Sequence, residues 1–488
     1  MTHDVAILGS GFAGSILAWI LARQGMRVVI LDRDRHPRFA IGESSTPLAD
    51  MALLRIAAKH GIGDLAALAR YGTWLKACPE VGCGLKRGFS YFHHPAGQPY
   101  ADTPDHAASL LVAASATDAA SDTHWLRADV DAWLFDHART AGAEAHEGIT
   151  LDRLGRDDGQ WTIEWTGSGP GRTRASVVID STGSGGALAR AVGLERRDDT
   201  LLTRTGSVFS HFTGVGSWDA IRQAAGDGST VEPFRSDDAA QHHVLDDGWV
   251  WILRFRGGLT SVGIVRPTAW ATEALNNPER AWGDTLARHE GIHALLATAR
   301  PVRPLAAVPR MSRLWSRAAG PGWALVPTTC GFVDPLHSTG IAHALSGVER
   351  LADMLLAEHH DAATADDGPW AAYGRAVPDE VAWIDRLVSG CYAGLPDFDR
   401  FRQACLLFFL ATVSAERSIA GGATVAERGF LDARNAPLRT ALTAVRDRIA
   451  AGESFTPEAL RALVGHLDPV GLLDPAHRQR IAHTAATK

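Results

Sequence analysis

The sequence predicts an α/β fold: a Rossmann-like dinucleotide-binding unit, a β-sheet region that covers it, and a helical C-terminal region. Three observations lead there. Val5-Ala6-Ile7-Leu8 reads as a buried parallel strand that runs straight into Gly9-Ser10-Gly11-Phe12-Ala13-Gly14. Apolar residues at Ala13, Ile16, Leu17, Ile20 and Leu21 then put a helix after the turn, and a second strand, Val28–Leu31, ends in Asp32. Later segments alternate with period two, and beyond residue 363 the pattern is helical to the end.

The bulk composition fits this class and excludes others. The chain has 488 residues, 46% of them hydrophobic and 21% charged, which is ordinary for a globular protein of two or three packed units. A net charge of -7 leaves no footprint for nucleic acid. Five scattered cysteines argue against a disulfide framework; Cys78 and Cys83 alone are close enough to pair or to share a metal, and no metal site is expected. No signal-like segment opens the chain, so a cytoplasmic location is expected. The apolar run Ala404–Val413 is too short to span a bilayer and reads as a buried core helix, so no membrane partner is expected. Lysine is confined to Lys59, Lys76, Lys86 and Lys488, which makes each one easy to single out.

In chain order, the glycines of 9–14 allow a tight turn, close approach of a pyrophosphate and close helix–strand packing. Asp32 stands where a carboxylate accepts hydrogen bonds from an adenosine ribose, and it disfavours a 2'-phosphate, so FAD or NAD is preferred to NADP. Leu126–Leu134 opens a helix that runs to about Ala141, and Val177–Asp180 reads as a strand entering a turn at Gly183. Strands are expected at 206–212, 249–255 and 260–265. Asp158–Pro170 and Ala224–Gln241, rich in Gly, Ser and Asp, read as exposed loops, and Ala362–Pro369 as a linker. Phe398–Ile419 and Leu438–Ala451 read as helices. At Phe332–Ile341, Pro335 blocks a continuous helix and Ser338 and Thr339 are suitable N-caps. Helical spacing then runs from Ile341 through Ala344, Leu345, Val348, Leu351 and Leu355. That is a helix mouth, with unpaired N–H groups suited to an anion.

Several of these segments carry a family resemblance. Gly42-Glu43-Ser44-Ser45-Thr46-Pro47 resembles the Gly-Glu-Ser loop of flavin-dependent halogenases. Phe332–Gly340 fits their Phe-x-x-Pro-x-x-Ser-x-Gly pattern. Gly84–Phe92 is similar to the segment that carries their essential lysine. Leu126–Leu134 and Val177–Gly183 resemble recurrent elements of the FAD-dependent aromatic hydroxylase and halogenase fold, of GR2 type. The resemblance covers roughly the first 360 residues.

The resemblance implies a discontinuous FAD-binding domain (1–60, 100–195 and 310–362), a substrate-domain sheet (61–99 and 196–309) and a helical C-terminal region (363–488). It implies FAD, used as FADH2, held by Gly9, Gly11, Phe12, Ala13, Gly14, Asp32, Arg33, Glu43, Ser44, Arg127, Asp180, Gly183, Asp334 and Ile341. A chloride or bromide ion would sit at Ser338, Thr339 and Gly340, and hypohalous acid made there would be held by Lys86 beside a small electron-rich aromatic substrate, free or tethered to a carrier protein. A separate flavin reductase would supply the reduced flavin.

Plainer readings stand beside these. Thr339 and Gly340 also suit a simple helix cap with its dipole on the flavin, Lys86 a solvated strand start, and Arg127 a helix cap. The family pattern is broken in three places. His337 replaces the glutamate of tryptophan halogenases and the apolar residue of phenol and pyrrole halogenases, which suits a general base, a proton relay or a buried structural histidine. Trp249-Val250-Trp251 keeps the family's tryptophans but not its proline, and reads as a sheet-core pair. Pro327-Thr328 replaces a Gly-Asp pair that contacts the ribityl chain, which suits an enzyme that takes reduced flavin from solution. The competing functions are a FAD monooxygenase or dehydrogenase fed by NAD(P)H, and a flavoprotein that binds or senses without turnover.

Overall fold

The computed structural model of the chain describes residues 2–227, 232–357 and 368–486. It opens with β1 (Thr2–Leu8), α1 (Phe12–Arg23) and β2 (Val28–Asp32). The two strands pair in parallel with Val5 beside Val28 and Leu8 beside Leu31. α1 differs from the one-faced helix that its spacing predicts. Every residue from Phe12 to Leu21 is buried, because the helix is enclosed by the sheet and by two other helices, described below. α2 (Pro47–His60) follows, started by Pro47 at its first position and ended by Gly61 in the left-handed region at φ 65°.

β3 (Cys83–Lys86) and β4 (Gly88–His93) lead to β5 (Ser109–Ala113), β6 (Asp122–Trp125) and α3 (Arg127–Thr140). β7 (Glu144–Glu147), β8 (Ile149–Asp157), β9 (Gln160–Gly167) and β10 (Gly171–Asp180) then complete most of the first sheet. In that sheet Trp323–Leu325, β10, β1, β2 and β7 lie side by side and parallel, with β8 and β9 as an antiparallel extension of β10. α3 and α4 (Thr339–Leu356) both pack on α1.

The second sheet is built from β11 (Thr205–Thr213), β12 (Ala240–Leu245), β13 (Gly248–Arg254) and β14 (Thr260–Pro267), in the order β11-β14-β13-β12-β4-β5. β12 runs parallel to β4, and Arg480–Ile481 adds an outer strand beside β5. A separate apolar cluster that includes Phe92, Val208, Trp218, Val250 and Ile264 fills the far face of this sheet. The helical region comprises α5 (Pro369–Gly394), α6 (Phe398–Ala420) and α7 (Ala436–Ala450), with α5 packed on both of the others. By length and composition α6 could cross a membrane, but 61% of its most apolar window is buried in this fold, as in a core helix.

Four expectations are corrected here. Residues 160–167 of the segment read as an exposed loop form β9, whose Trp161, Ile163 and Trp165 alternate inward; the flanking Gly and Ser residues masked that period-two signal. Within Ala224–Gln241, Ser236, Asp237, Ala239 and Gln241 are buried, because Asp237 caps Trp218 and binds Gln241. Residues 109–113, placed by sequence in the first domain, pair with β4 in the second sheet, since an apolar run does not announce its partner strand. The C-terminal region likewise gives one strand, Arg480–Ile481, to that sheet. Of the expected linker, residues 362–367 lie outside the described residues.

Candidate active site

The turn after β1 is shaped by two glycines. Gly9 has φ 94°, and a Cβ there would lie 2.7 Å from the Ser181 carbonyl oxygen. A Cβ on Gly14 would lie 2.2 Å from the Gly9 carbonyl oxygen, so only glycine lets α1 sit this close to the turn. In front of it opens a cavity of about 800 Å3, lined at this end by Gly11, Phe12, Ala13, Arg33 and Asp34. It continues past Arg38, Glu43, Ser44, Arg127 and Gly183 to Phe332, Pro335, Ser338, Gly340 and Ile341. β13 and β14 wall the other side with Trp249, Trp251 and Ser261.

The two tryptophans expected as a sheet-core pair therefore face the cavity. Trp249 Nε1 donates to Tyr392 Oη at 2.8 Å and Trp251 Nε1 to Ser261 Oγ at 3.1 Å. The Trp251 indole lies across Gly263 on the neighbouring strand, where a Cβ would sit 2.1 Å from the ring.

Three of the expected cofactor ligands turn their carboxylates into the protein. Asp32 is buried, and its Oδ2 accepts from Ser10 N and Ser10 Oγ, both at 2.6 Å. Burial opposes ionisation of Asp32, but the Ser10 hydrogen bonds outweigh it and hold the carboxyl below its usual range. Asp180 accepts from Thr182 N, Thr182 Oγ1 and Leu188 N, fixing the turn that carries Gly183. Asp334 Oδ2 accepts from Thr205 Oγ1 and from Tyr392 Oη at 2.9 Å, and burial pushes its carboxyl up to about 7. All three hold loops that line the cavity and are not themselves on its wall.

Arg127 does reach the cavity. It forms a two-pronged pair with Asp131, both bonds 2.8 Å, and donates to the Ile41 and Gly42 carbonyls at 3.0 and 3.2 Å. Its guanidinium lies over the Phe12 ring. Sequence reasoning missed Asp131, although Arg127 and Asp131 have the i, i+4 helical spacing that brings such a pair together. It also missed His211, whose Nε2 lies 3.0 Å from the buried Glu43 carboxylate; these residues are 168 positions apart and nothing local links them.

The start of α4 separates two cavities. Ser338 and Gly340 line the large one, while His337 and Thr339 line a second, of about 30 Å3. Ser338 holds the N-cap position in the left-handed region, φ 55°, and its side chain makes no cap hydrogen bond, contrary to the capping role expected for it. α4 is anchored further down by Glu380, which pairs with Arg350 at 2.9 and 3.0 Å, meets His343 Nε2 at 3.0 Å and accepts from Phe430 N at 3.2 Å.

Lys86 is fully buried at the end of β3, not solvated. Its ammonium donates to the Ser45 carbonyl and lies 4.0 Å from the Phe89 ring centroid. Phe89 and Thr46, next to Ser45, line the small cavity. His124 and His242 are held neutral nearby, both lowered to about 3, first by burial and in part by the Lys86 charge. His337 is also held neutral by burial. Its Nδ1 lies 2.9 Å from Tyr91 Oη, its Nε2 3.5 Å from Cys391 Sγ, and its ring stacks on Phe408. Both ring nitrogens thus have protein partners, which supports the structural reading of His337 over the general-base one. Cys78 and Cys83 are free buried thiols, pushed up by burial to about 12 and about 11.

The donor set fits FAD. A glycine turn that no side chain could enter leads into a cavity lined by six arginines and by apolar and aromatic side chains, within the roughly 300–1,000 Å3 usual for ligand sites. The family model described as "FAD dependent oxidoreductase" matches residues 4–316. Tetracycline 7-halogenase of Kitasatospora aureofaciens is 28% identical over 435 residues, covering 86% of this chain and 75% of that protein. Monodechloroaminopyrrolnitrin halogenase PrnC of Pseudomonas fluorescens is 28% identical over 413 residues, covering 81% and 68%. Among solved structures, halogenase PltM in complex with phloroglucinol and FAD shares the fold, with a TM-score of 0.83 at 23% identity over 98% of this chain and 99% of that one. The cavity and the relatives agree: the chain is a FAD-dependent oxidoreductase and belongs to the flavin-dependent halogenases.

Proposed function

We propose that the protein is a two-component halogenase that takes reduced FAD from a separate flavin reductase, together with dioxygen and chloride or bromide, and halogenates a small electron-rich aromatic compound. The observation that carries this reading is the thin wall at residues 337–340, with the large cavity on one side and a small aromatic cavity beside the Lys86 environment on the other. FAD would be held by the 9–14 turn, Arg33, Glu43, Ser44, Arg127, Gly183 and Ile341. When bound and reduced, it supplies the electrons with which dioxygen converts halide to hypohalous acid.

The chain's own residues do the rest. The first amides of α4, at Thr339 and Gly340, bind the halide at the positive end of the helix dipole. Lys86 hydrogen-bonds the oxidant and makes its halogen more electrophilic. The aromatic wall around Phe89, Phe408 and Phe409 excludes water and holds the substrate ring. The FAD unit is assigned to 1–60, 114–195 and 310–357, the covering sheet to residues 83–113 and 196–309, and the helical region to 368 onward. Relatives named for pyrrole-2-carbonyl groups on a peptidyl carrier protein make a carrier-tethered substrate one arm of the test.

The test combines the protein with FAD, NADH, a flavin reductase and chloride or bromide, and a panel of free phenols, pyrroles and indoles together with one carrier-bound pyrrole. Mass spectrometry should find halogen isotope doublets that require halide and the reductase. Hydroxylated products formed without halide, or stoichiometric NADH oxidation by the protein alone, would instead establish a monooxygenase.

A further inference from the structure

The small cavity is narrow. At about 30 Å3 it has room for roughly one water molecule, whereas an engineered cavity that holds benzene measures roughly 150 Å3. One of its walls is weakly held. Residues 482–486 pass over Val112 and Ala114 after the two-residue strand Arg480–Ile481, and Thr484 enters the lining. The segment is tied by Thr484 N and Oγ1 to the Ala113 carbonyl at 3.2 and 3.1 Å, and by Ala486 N to the Glu416 carboxylate at 3.2 Å. It is entered through Arg478 and Gln479, both in the left-handed region at φ 44° and 62°, where side-chain-bearing residues are strained.

Glu416 is the notable residue underneath. It is buried on α6, and it is the one carboxylate among the described residues that line this cavity. The rest of the lining is Phe89, Val112, Phe408, Phe409 and other apolar or hydroxyl groups, with a neutral His337. A carboxylate in such a wall must be satisfied by a donor, and in the contracted state part of that need is met by a backbone N–H of the segment itself.

We propose that this cavity is the aromatic-substrate pocket in a contracted state, that displacement of the 482–486 segment widens it, and that Glu416 then accepts a hydrogen bond from the substrate. Substrate and Ala486 N–H compete for the same carboxylate. The pocket therefore selects aromatics with a phenolic O–H or a ring N–H, and discriminates against their O-alkyl or N-alkyl counterparts. A charge-assisted hydrogen bond of this kind is worth about 10- to 100-fold in affinity. This rests on the halogenase reading for the reaction, but not for the binding event.

Binding is therefore measured first, by ligand-observed NMR with resorcinol and its dimethyl ether on the FAD-loaded protein without turnover. The parent protein should bind resorcinol at least 10-fold more tightly than the ether. Glu416→Leu should remove that preference, and deleting residues 482–488 should tighten both ligands while keeping it. Steady-state halogenation of the same pair should follow, with the loss in Glu416→Leu appearing in KM for resorcinol. Formation of hypohalous acid without aromatic substrate is followed in the parent protein by trapping with a 1,3-diketone, and should require halide and the reductase. Equal resorcinol affinity in the parent and in Glu416→Leu, with each variant melting as a folded protein, overturns the proposal. Absence of any halide-dependent oxidant in the parent overturns the halogenase reading instead and leaves the binding result standing.

Discussion

Glu380 offers the most quantitative test of how the start of α4 is held in place. Its carboxylate is buried and binds Arg350 and His343, both on α4, so it ties the helix that begins at Thr339 to α5. Glu380→Gln keeps the shape but leaves the Arg350 guanidinium buried without its counter-charge. Breaking a buried pair by removing one partner costs about 3–5 kcal/mol. With unfolding entropy near 2.1 cal/mol/K per residue, a chain of this length melting as one unit has about 1 kcal/mol/K, so Tm should fall by about 3–5 °C. The pH dependence gives a second reading. Burial opposes ionisation, but Arg350 outweighs it and lowers the Glu380 carboxyl from 4.5 to about 2. A depressed acid stabilises the fold above the unfolded value and loses that contribution as pH falls toward the folded one. The window is therefore pH 4.5 down to 2, and about 3 kcal/mol is at stake. Differential scanning fluorimetry of parent and variant at pH 7 and from pH 5 to 3 measures both. A shift under 1 °C at pH 7, or parallel curves below pH 4.5, would show that Glu380 is not what anchors α4.

Four further expectations concern the site and its surroundings. Lys86→Ala should lower halogenated product by about 10²–10³, the usual loss for one electrostatic group at a reacting centre. Peroxide release from reduced flavin should stay within two-fold, and unchanged product would remove Lys86 from the chemistry. Asp334 has its carboxyl raised to about 7, so the fold holds its proton while the unfolded chain releases it, and stability declines as pH rises from about 4 to 7. Asp334→Asn should flatten Tm against pH in that window; an unaltered slope would place the titrating group elsewhere. Gly14→Ala should abolish FAD binding measured by flavin fluorescence, because its Cβ meets the Gly9 carbonyl at 2.2 Å. Gly340→Ala meets only Phe332, at 3.5 Å, so it should fold and melt normally, and any rise in its halide KM reports on the ligand. FAD retention in Gly14→Ala would refute the cradle argument.

The parts that local chemistry dictates were readable before the structure. The strand–glycine–helix unit, the helix mouth at 339 and the strands at 205–213 and 248–254 each follow from spacing within a dozen residues. What escaped depends on residues far apart in the chain. Nothing near Glu43 announces His211, and nothing near Val112 announces Thr484 or Glu416. Asp32, Asp180 and Asp334 stand out in the sequence as acidic residues at turns, but whether such a carboxylate faces a ligand or its own loop depends on which backbone N–H groups reach it first. His337 is ambiguous in the sequence for the same reason: Tyr91 and Cys391, which occupy its nitrogens, come from β4 and α5.

The flat contact between Trp251 and Gly263 has an evolutionary consequence. Enlarging Gly263 alone drives a methyl group into the indole, and shrinking Trp251 alone opens a void in the cavity wall, so each first step is damaging while the paired exchange restores the fit. The two positions should drift together or not at all. A library that varies them one at a time will score both as immutable, and only a combinatorial one will find reshaped cavities behind that barrier.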